Sequence, residues 1–169
     1  MRTGEALAAV DLMEEGSEAT ITLLRDIEYE DGIEVEGREI TFDLNGFTLD
    51  VINADGPGLD VGEGGAVLLA ENEAGGKFNV ASSAAPGHAV YVHDDGQATV
   101  TSATATGLGS AAVYATGDSS SVSVTGDVSS SQNFAADAVN GAGITVGGDA
   151  EGLSGVEARG SGSSVKIAG

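Results

Sequence analysis

The 169-residue sequence has no Cys, no Trp, only two Pro and only six Lys and Arg residues. The absence of Cys excludes a disulfide framework, a thiolate metal site and a cysteine nucleophile. Because 27 Asp and Glu residues leave a formal net charge of −21, we expect no binding to nucleic acid and none to an anionic membrane surface. No apolar run approaches the roughly 20 residues of a membrane span, so no membrane insertion is expected.

The apolar residues predict a folded core built from small aliphatic side chains. They make up 41% of the sequence, which is too many for a disordered acidic chain, whereas aromatic residues make up only 4%. Ala, Val, Leu and Ile must therefore fill the core. The length suits a single domain over residues 1–169.

The second half of the chain is rich in Gly, Ser, Ala and Thr, yet its pattern predicts folded structure. It holds only eight of the 27 acidic residues. Apolar residues alternate in segments such as 89–92 (AVYV) and 121–124 (SVSV), and this alternation is typical of β-strands. We therefore reject the interpretation of this half as a flexible tail.

The short strands recur with a period of roughly 20–23 residues, which lies in the range of solenoid repeats. The matches are Val90-Tyr91 with Val113-Tyr114, Ala115 with Ala138, Ala138 with Ala158, and residues 144–146 with 165–167. Each unit contains a strand, a tight turn and a second strand. Turns such as Asn45-Gly46 suit a corner because both residues tolerate positive φ. This period predicts an all-β solenoid, a single-stranded right-handed parallel β-helix of six or seven coils over residues 19–169.

Residues 4–15 predict a different element, a short N-terminal capping α-helix. Leu7, Val10 and Met13 recur at helical spacing, Thr3 is a suitable N-cap and Gly16 suits the C-terminal end. Such a helix would cover the open end of the solenoid. No similar cap follows the last strand, so we expect the natural protein to continue, and we expect the uncapped C-terminal end to allow self-association.

The region from Gly4 to Val51 resembles the opening of pectate-lyase-like β-helix domains in bacterial surface adhesins. The resemblance rests on EALAAV, ATITLLRDI and EVEGREITFDLNGFTLDV, and it is clearest from Ile40 to Leu49. The segment APGHAVYVHDDGQATVTSATAT resembles the repeating coil unit of that family. The resemblance implies an extracellular or cell-surface bacterial protein whose signal and anchor lie outside this sequence.

The residues give little support for catalysis. Pectate lyases combine Ca²⁺-binding acids with an Arg or Lys base, but no basic residue here sits beside a matching acidic cluster in the repeat pattern. Arg38 lies among Glu34, Glu36 and Glu39, where loose ion pairs in a solvated corner explain it. A net charge of −21 would also repel an anionic polysaccharide unless metal bridged the two. We therefore predict no catalytic residues and no enzyme activity.

No metal or cofactor site is predicted either. His88 and His93 flank the strand 89–92, and residues five apart on a strand point to opposite faces, which disfavours a shared metal unless a bend intervenes. We therefore interpret both as ordinary surface histidines. Asp94-Asp95 and Asp60 with Glu63 could supply Ca²⁺ ligands, but no known calcium-loop pattern is present. Turn chemistry explains these acids more simply. Weak Ca²⁺ binding is the only metal interaction expected.

Tyr91 and Tyr114 form the candidate ligand face. Their offset equals one repeat period, so they are expected to stack on the same face of neighbouring coils and to offer a platform for a sugar ring. A ladder that only stabilises the sheet is the alternative. A ladder of Thr99, Thr101, Thr104 and Thr106 is not maintained over enough coils to indicate ice binding.

The function predicted from the sequence is that of a non-catalytic β-helical module of a secreted or cell-surface bacterial protein. It would act as a rigid stalk or as an adhesin-like surface for carbohydrate or host ligands. The alternative is a carbohydrate-active enzyme, similar to a polysaccharide lyase or hydrolase, or its substrate-binding part. A third interpretation is an acid-rich surface protein of a halophile.

Overall fold

The chain forms a parallel β-solenoid. The computed structural model describes residues 13–70 and 75–169. Within these ranges there are 19 strands and no helix, and the strands pair in three parallel sheets. Successive strands visit the first, second and third sheet in turn, so the described chain makes six complete coils and one final strand. The predicted all-β solenoid is confirmed.

The strands are three to six residues long and each coil contributes one to each sheet. The first sheet contains β1 (Glu18–Thr22), β4 (Glu39–Asp43), β7 (Ala66–Leu69), β10 (Gln97–Val100), β13 (Ser121–Val124), β16 (Gly143–Val146) and β19 (Ser164–Ile167). The second sheet contains β2 (Ile27–Tyr29), β5 (Thr48–Asn53), β8 (Lys77–Ser82), β11 (Ser102–Ala105), β14 (Val128–Ser130) and β17 (Ala150–Gly152). The third sheet contains β3 (Ile33–Glu36), β6 (Leu59–Gly62), β9 (Val90–Val92), β12 (Val113–Thr116), β15 (Ala136–Val139) and β18 (Val156–Arg159).

The observed register agrees with the repeats in the second half of the sequence. Tyr114 pairs with Tyr91, Ala115 with Ala138, Ala138 with Ala158, and Ile144 with Val165. The first coil also keeps this period, because Glu18 pairs with Glu39, but the second and third coils depart from it. Glu39 pairs with Ala66 and Ala66 with Gln97, so these two coils are longer than the later ones, because longer loops separate their strands.

Each coil has three strands, whereas the sequence predicted two. The alternation of apolar and polar residues does not reveal the second-sheet strands of the later coils, because these strands consist mainly of small residues, as in β11 (SATA) and β14 (VSS). Their inward side chains, among them Ala103, Ala105 and Val128, are fully buried. The narrow interior accepts such small side chains at close packing density.

Inward-facing side chains from all three sheets form one continuous core. In the early coils the core contains its largest members, Phe42 and Phe78, whose ring centroids lie 5.1 Å apart and tilted. In later coils Ala and Val take over at the corresponding register positions, as where Ala98 and Val122 follow Val67. The solenoid therefore has the aliphatic, aromatic-poor core that its composition predicts.

The corners of the coils use the residues that tolerate positive φ. Asn45 and Gly46 have φ of 49° and 83°, and Asn140 and Gly141 have 54° and 96°. An L-residue other than Asn or Asp is costly in this region, whereas Gly is not. The predicted Asn-Gly corners are confirmed.

The predicted capping helix over residues 4–15 falls mostly outside the described residues. Its described part, from Met13 to Glu15, leads into a turn at Gly16 and is not helical. Within the described ranges, no helix has the length and apolarity that crossing a bilayer requires.

Candidate ligand groove on the third sheet

The outer face of the third sheet carries one continuous column of acidic and tyrosine side chains. From the first coil to the last, the paired positions are Glu34, Asp60, Tyr91, Tyr114, Asp137 and Glu157. Two tyrosines on adjacent strands are thus bracketed on each side by two acids. The neighbours of each tyrosine along its strand point inward, since Val90, Val92 and Val113 are fully buried.

The two candidate residues lie side by side. The ring centroids of Tyr91 and Tyr114 are 5.7 Å apart, with the ring planes tilted by 39°, and both side chains are half-buried. Burial and the nearby Asp60 carboxylate raise the pKa of Tyr91. Its phenol therefore stays protonated at neutral pH and keeps its hydrogen-bond donor.

Both histidines pack against the tyrosine pair. The prediction that the two histidines point to opposite faces is therefore wrong. His93 stacks on Tyr91 with ring centroids 4.7 Å apart, and His88 stacks on Tyr114 at 4.6 Å with the planes within 12°. Strand β9 contains only Val90–Val92. Each histidine lies in the turn beyond one strand end, where the strict alternation of a strand no longer applies.

His93 is fixed between two carboxylates. Its Nδ1 lies 2.8 Å from Asp94 Oδ2 and its Nε2 lies 3.2 Å from Asp60 Oδ1. Burial alone lowers the pKa of His93, but the hydrogen bond to Asp94 and the charge of Asp60 outweigh it and raise the pKa. Burial raises the pKa of Asp60, and His93 only partly offsets this effect. The ring also rests on Gly62, where a Cβ atom would overlap it.

His88 has a defined tautomer. Its Nδ1 accepts a hydrogen bond from the Ala111 backbone N–H, at 3.0 Å. The neutral ring therefore carries its proton on Nε2. Burial lowers the pKa of His88, so this neutral donor form is the one present at neutral pH.

A buried carboxylate lies at the other end of the tyrosine pair. Asp137 is only 4% exposed, and Arg159 from the next coil binds both its oxygens, with Nη2 2.5 Å from Oδ2 and Nε 3.4 Å from Oδ1. Arg159 Nε also lies 3.1 Å from Glu157 Oε2. The guanidinium thus compensates a carboxylate that would otherwise be buried and unpaired.

Part of this group of side chains lines an open groove of about 510 Å³, whereas Asp60, His93 and Glu157 lie outside its lining. The lining includes Pro57, Pro86, His88, Tyr91, Tyr114, Phe134, Asp137 and Arg159. Aromatic and proline surfaces alternate here with a ring N–H donor, two phenol hydroxyls and a carboxylate. Such a mixture of flat apolar surface and fixed polar groups is typical of binding sites for small polar molecules.

The tyrosines were predicted from the sequence, whereas Asp137, Arg159 and Asp60 were not identified as their neighbours. The repeat matches contained part of the signal, because the offsets that pair Ala115 with Ala138 and Ala158 also place Asp137 beside Tyr114. Asp60 gave no such signal, since its offset from Tyr91 is much longer than the repeat period of the second half.

Of the acids considered for Ca²⁺ binding, Asp60 lies on β6, whereas the other three lie in turns. Glu63, Asp94 and Asp95 have φ of 53°, 46° and 65°, and the Asp94 carbonyl accepts a hydrogen bond from the Gly64 N–H at 2.7 Å. Among the residues that the structure describes, no group of three or more His, Cys, Asp or Glu side chains is arranged to hold a metal ion.

Comparison of the chain with protein-family models, with curated proteins and with solved structures finds no match.

Proposed function

We propose that this chain is a non-catalytic β-helical module of a secreted or cell-surface bacterial protein, and that its groove on the third sheet binds carbohydrate. The observation that carries the proposal is the pair of tyrosines, in register on adjacent strands and lining an open groove. Sugars present flat C–H faces to aromatic rings and hydroxyl groups to fixed donors and acceptors. The groove offers both kinds of surface.

The scaffold supports a preorganised site. Tyr91 and Tyr114 project from paired strands, and His93 and His88 pack against their rings. Binding would therefore require little ordering of side chains, which is the main cost that reduces affinity at a flexible site. The same regular stacking of coils supports a role as a rigid spacer.

The separation of the two acids that flank the tyrosine pair supports binding over the tyrosines rather than glycoside hydrolysis there. The adjacent acids Asp137 and Glu157 are both engaged by Arg159. Asp60 and Asp137 are three strands apart in the column, which at about 4.8 Å per strand places their backbones about 14 Å apart. The two carboxyls of a glycosidase are roughly 5–9.5 Å apart. Asp60 and Asp137 are also held by His93 and Arg159, respectively.

The resemblance of residues 4–51 to pectate-lyase-like adhesin domains supports the finer parts of the proposal. These are a right-handed coil, an extracellular or cell-surface location, and a carbohydrate or host-surface partner. We also propose that the last coil allows self-association, because its strands have a neighbour on one side only and Val156 and Ile167 are 42% and 38% exposed.

A glycan array tests the proposal, run once with Ca²⁺ and once with a chelator. We expect binding to one glycan class, lost in Tyr91→Ala and Tyr114→Ala and kept in Thr145→Ala. Thr145 is an exposed residue on the first sheet, so it controls for surface substitution in general. Absence of binding to any glycan in both conditions would refute the groove as a carbohydrate site. Binding that disappears only in chelator would favour a metal-bridged polysaccharide instead.

A further inference from the structure

We propose that the groove selects sugars that carry free amino groups, such as glucosamine oligomers, over neutral and acidic sugars. This inference rests on the proposed carbohydrate function and specifies its ligand class. It follows from the charges around the tyrosine pair and from the spacing of the column.

The charge around the tyrosines is negative on both sides. Glu34 and Asp60 precede Tyr91 in the column, and Asp137 and Glu157 follow Tyr114. Arg159 is the only Lys or Arg among the described residues that line the groove, and its guanidinium is already shared between Asp137 and Glu157. Four acids against one guanidinium leave an excess of negative charge beside the groove, while Asp137 and Arg159 balance each other within its lining.

The aromatic rings add to the same preference. An ammonium group is attracted to the face of a tyrosine ring by the quadrupole of the ring. A uronic acid would instead bring its carboxylate close to Asp137 and Glu157, where like charges repel each other. The chain as a whole, with its charge of −21, would also repel an acidic polysaccharide during approach.

The spacing of the column fits an extended sugar chain. Adjacent strands are about 4.8 Å apart, and the two tyrosine centroids are 5.7 Å apart. The rise per residue of an extended β-1,4-linked pyranose chain is similar. Two consecutive sugars would therefore lie over Tyr91 and Tyr114. The next sugars on each side would lie over Asp60 and Asp137, and they would carry their amines towards Asp60 and towards Glu157, which is one strand beyond Asp137.

The test compares three tetrasaccharides by isothermal titration calorimetry at low salt: glucosamine, N-acetylglucosamine and galacturonate. We expect the glucosamine tetramer to bind about fivefold more tightly than the N-acetylated one, which corresponds to one good exposed ion pair. We expect the galacturonate tetramer to bind weakest. The preference for amines should shrink when NaCl is raised to about 0.5 M, because salt screens exposed charges.

Two matched variants separate the groove from the charge of the whole chain. Glu157→Gln removes one negative charge beside the groove, whereas Glu151→Gln removes one from an exposed position on β17 of the second sheet. We expect Glu157→Gln to weaken glucosamine binding several-fold and to weaken N-acetylglucosamine binding much less. Glu151→Gln should change neither.

The outcomes distinguish this inference from the function on which it rests. Equal binding of the amine and N-acetyl tetramers, or tighter binding of galacturonate, would overturn the selectivity but leave carbohydrate binding intact. Equal losses in Glu157→Gln and Glu151→Gln would also overturn it, because the preference would then come from net charge alone. Failure of all three tetramers, together with a negative glycan array, would overturn both proposals.

Discussion

Replacement of Phe78 by Ala should be among the most destabilising single changes in this solenoid. Phe78 lies on β8 with no exposed surface, and its ring centroid lies 5.1 Å from that of Phe42. It pairs with Leu49 of the preceding coil, and its N–H donates to Thr101 Oγ1 of the next coil at 2.9 Å. Phe→Ala changes in a packed core cost about 3–5 kcal/mol. The total free energy of unfolding of most domains is about 5–15 kcal/mol.

The measurement is urea denaturation followed by far-UV circular dichroism. We expect Phe78→Ala to lower the free energy of unfolding by about 3–5 kcal/mol. Phe78→Leu keeps the site apolar and most of its volume filled, so it should cost on the order of 1 kcal/mol. Val165→Ala, at a half-buried position in the final strand, should cost less than Phe78→Ala. A loss below about 1 kcal/mol for Phe78→Ala would refute the close packing of this coil.

Two further predictions concern coil contacts and pH. Gly107→Ala should destabilise the fold by about 1–3 kcal/mol in urea denaturation, because a Cβ there would overlap the Ala84 carbonyl oxygen. Gly56→Ala should be nearly neutral, because its Cβ would meet only Asn53 Nδ2 at 3.5 Å. Equal losses of stability in Gly107→Ala and Gly56→Ala would contradict the predicted overlap at Gly107. Because the pKa of His88 is lowered in the fold, its contribution to stability should be lost as pH falls below about 6.5. The pKa of His93 is raised, so its contribution should be present below about 6.5 and lost as pH rises through the raised value. The free energy of unfolding of His88→Gln and His93→Gln, measured between about pH 5 and 8, checks both predictions. If the two substitutions changed the pH dependence of stability in the same direction, the predictions would be contradicted.

The strands and corners of the second half were predictable because their signals are local. Alternation of apolar residues fixes which side chains face inward, and repeat offsets fix the register wherever coils have nearly constant length. The offsets that align Tyr91 with Tyr114 and Ala138 with Ala158 agree with the observed pairing. The corner at Asn140-Gly141 was equally predictable, because positive φ selects these residue types.

The long early coils were not predictable in the same way. Loops of different lengths join β5 to β6 and β8 to β9, so the offset between paired residues changes from coil to coil. Asp60 therefore meets Tyr91 across a longer stretch of chain than any later coil contains, and no periodicity indicated this pairing. The third strand of each coil was missed for a different reason, since small residues give it little hydrophobic contrast.

The sequence by itself determined the type of fold, its aliphatic core and the pairing of the two tyrosines. These depend on alternation, composition and short repeats, which act between residues close in the chain. Only the tertiary structure decided that His88 and His93 pack on the same tyrosine pair, that His93 lies between Asp60 and Asp94, and that Arg159 covers the buried Asp137. Such contacts depend on how loops end and how side chains lean from one coil onto the next. They become fixed only when the coils stack.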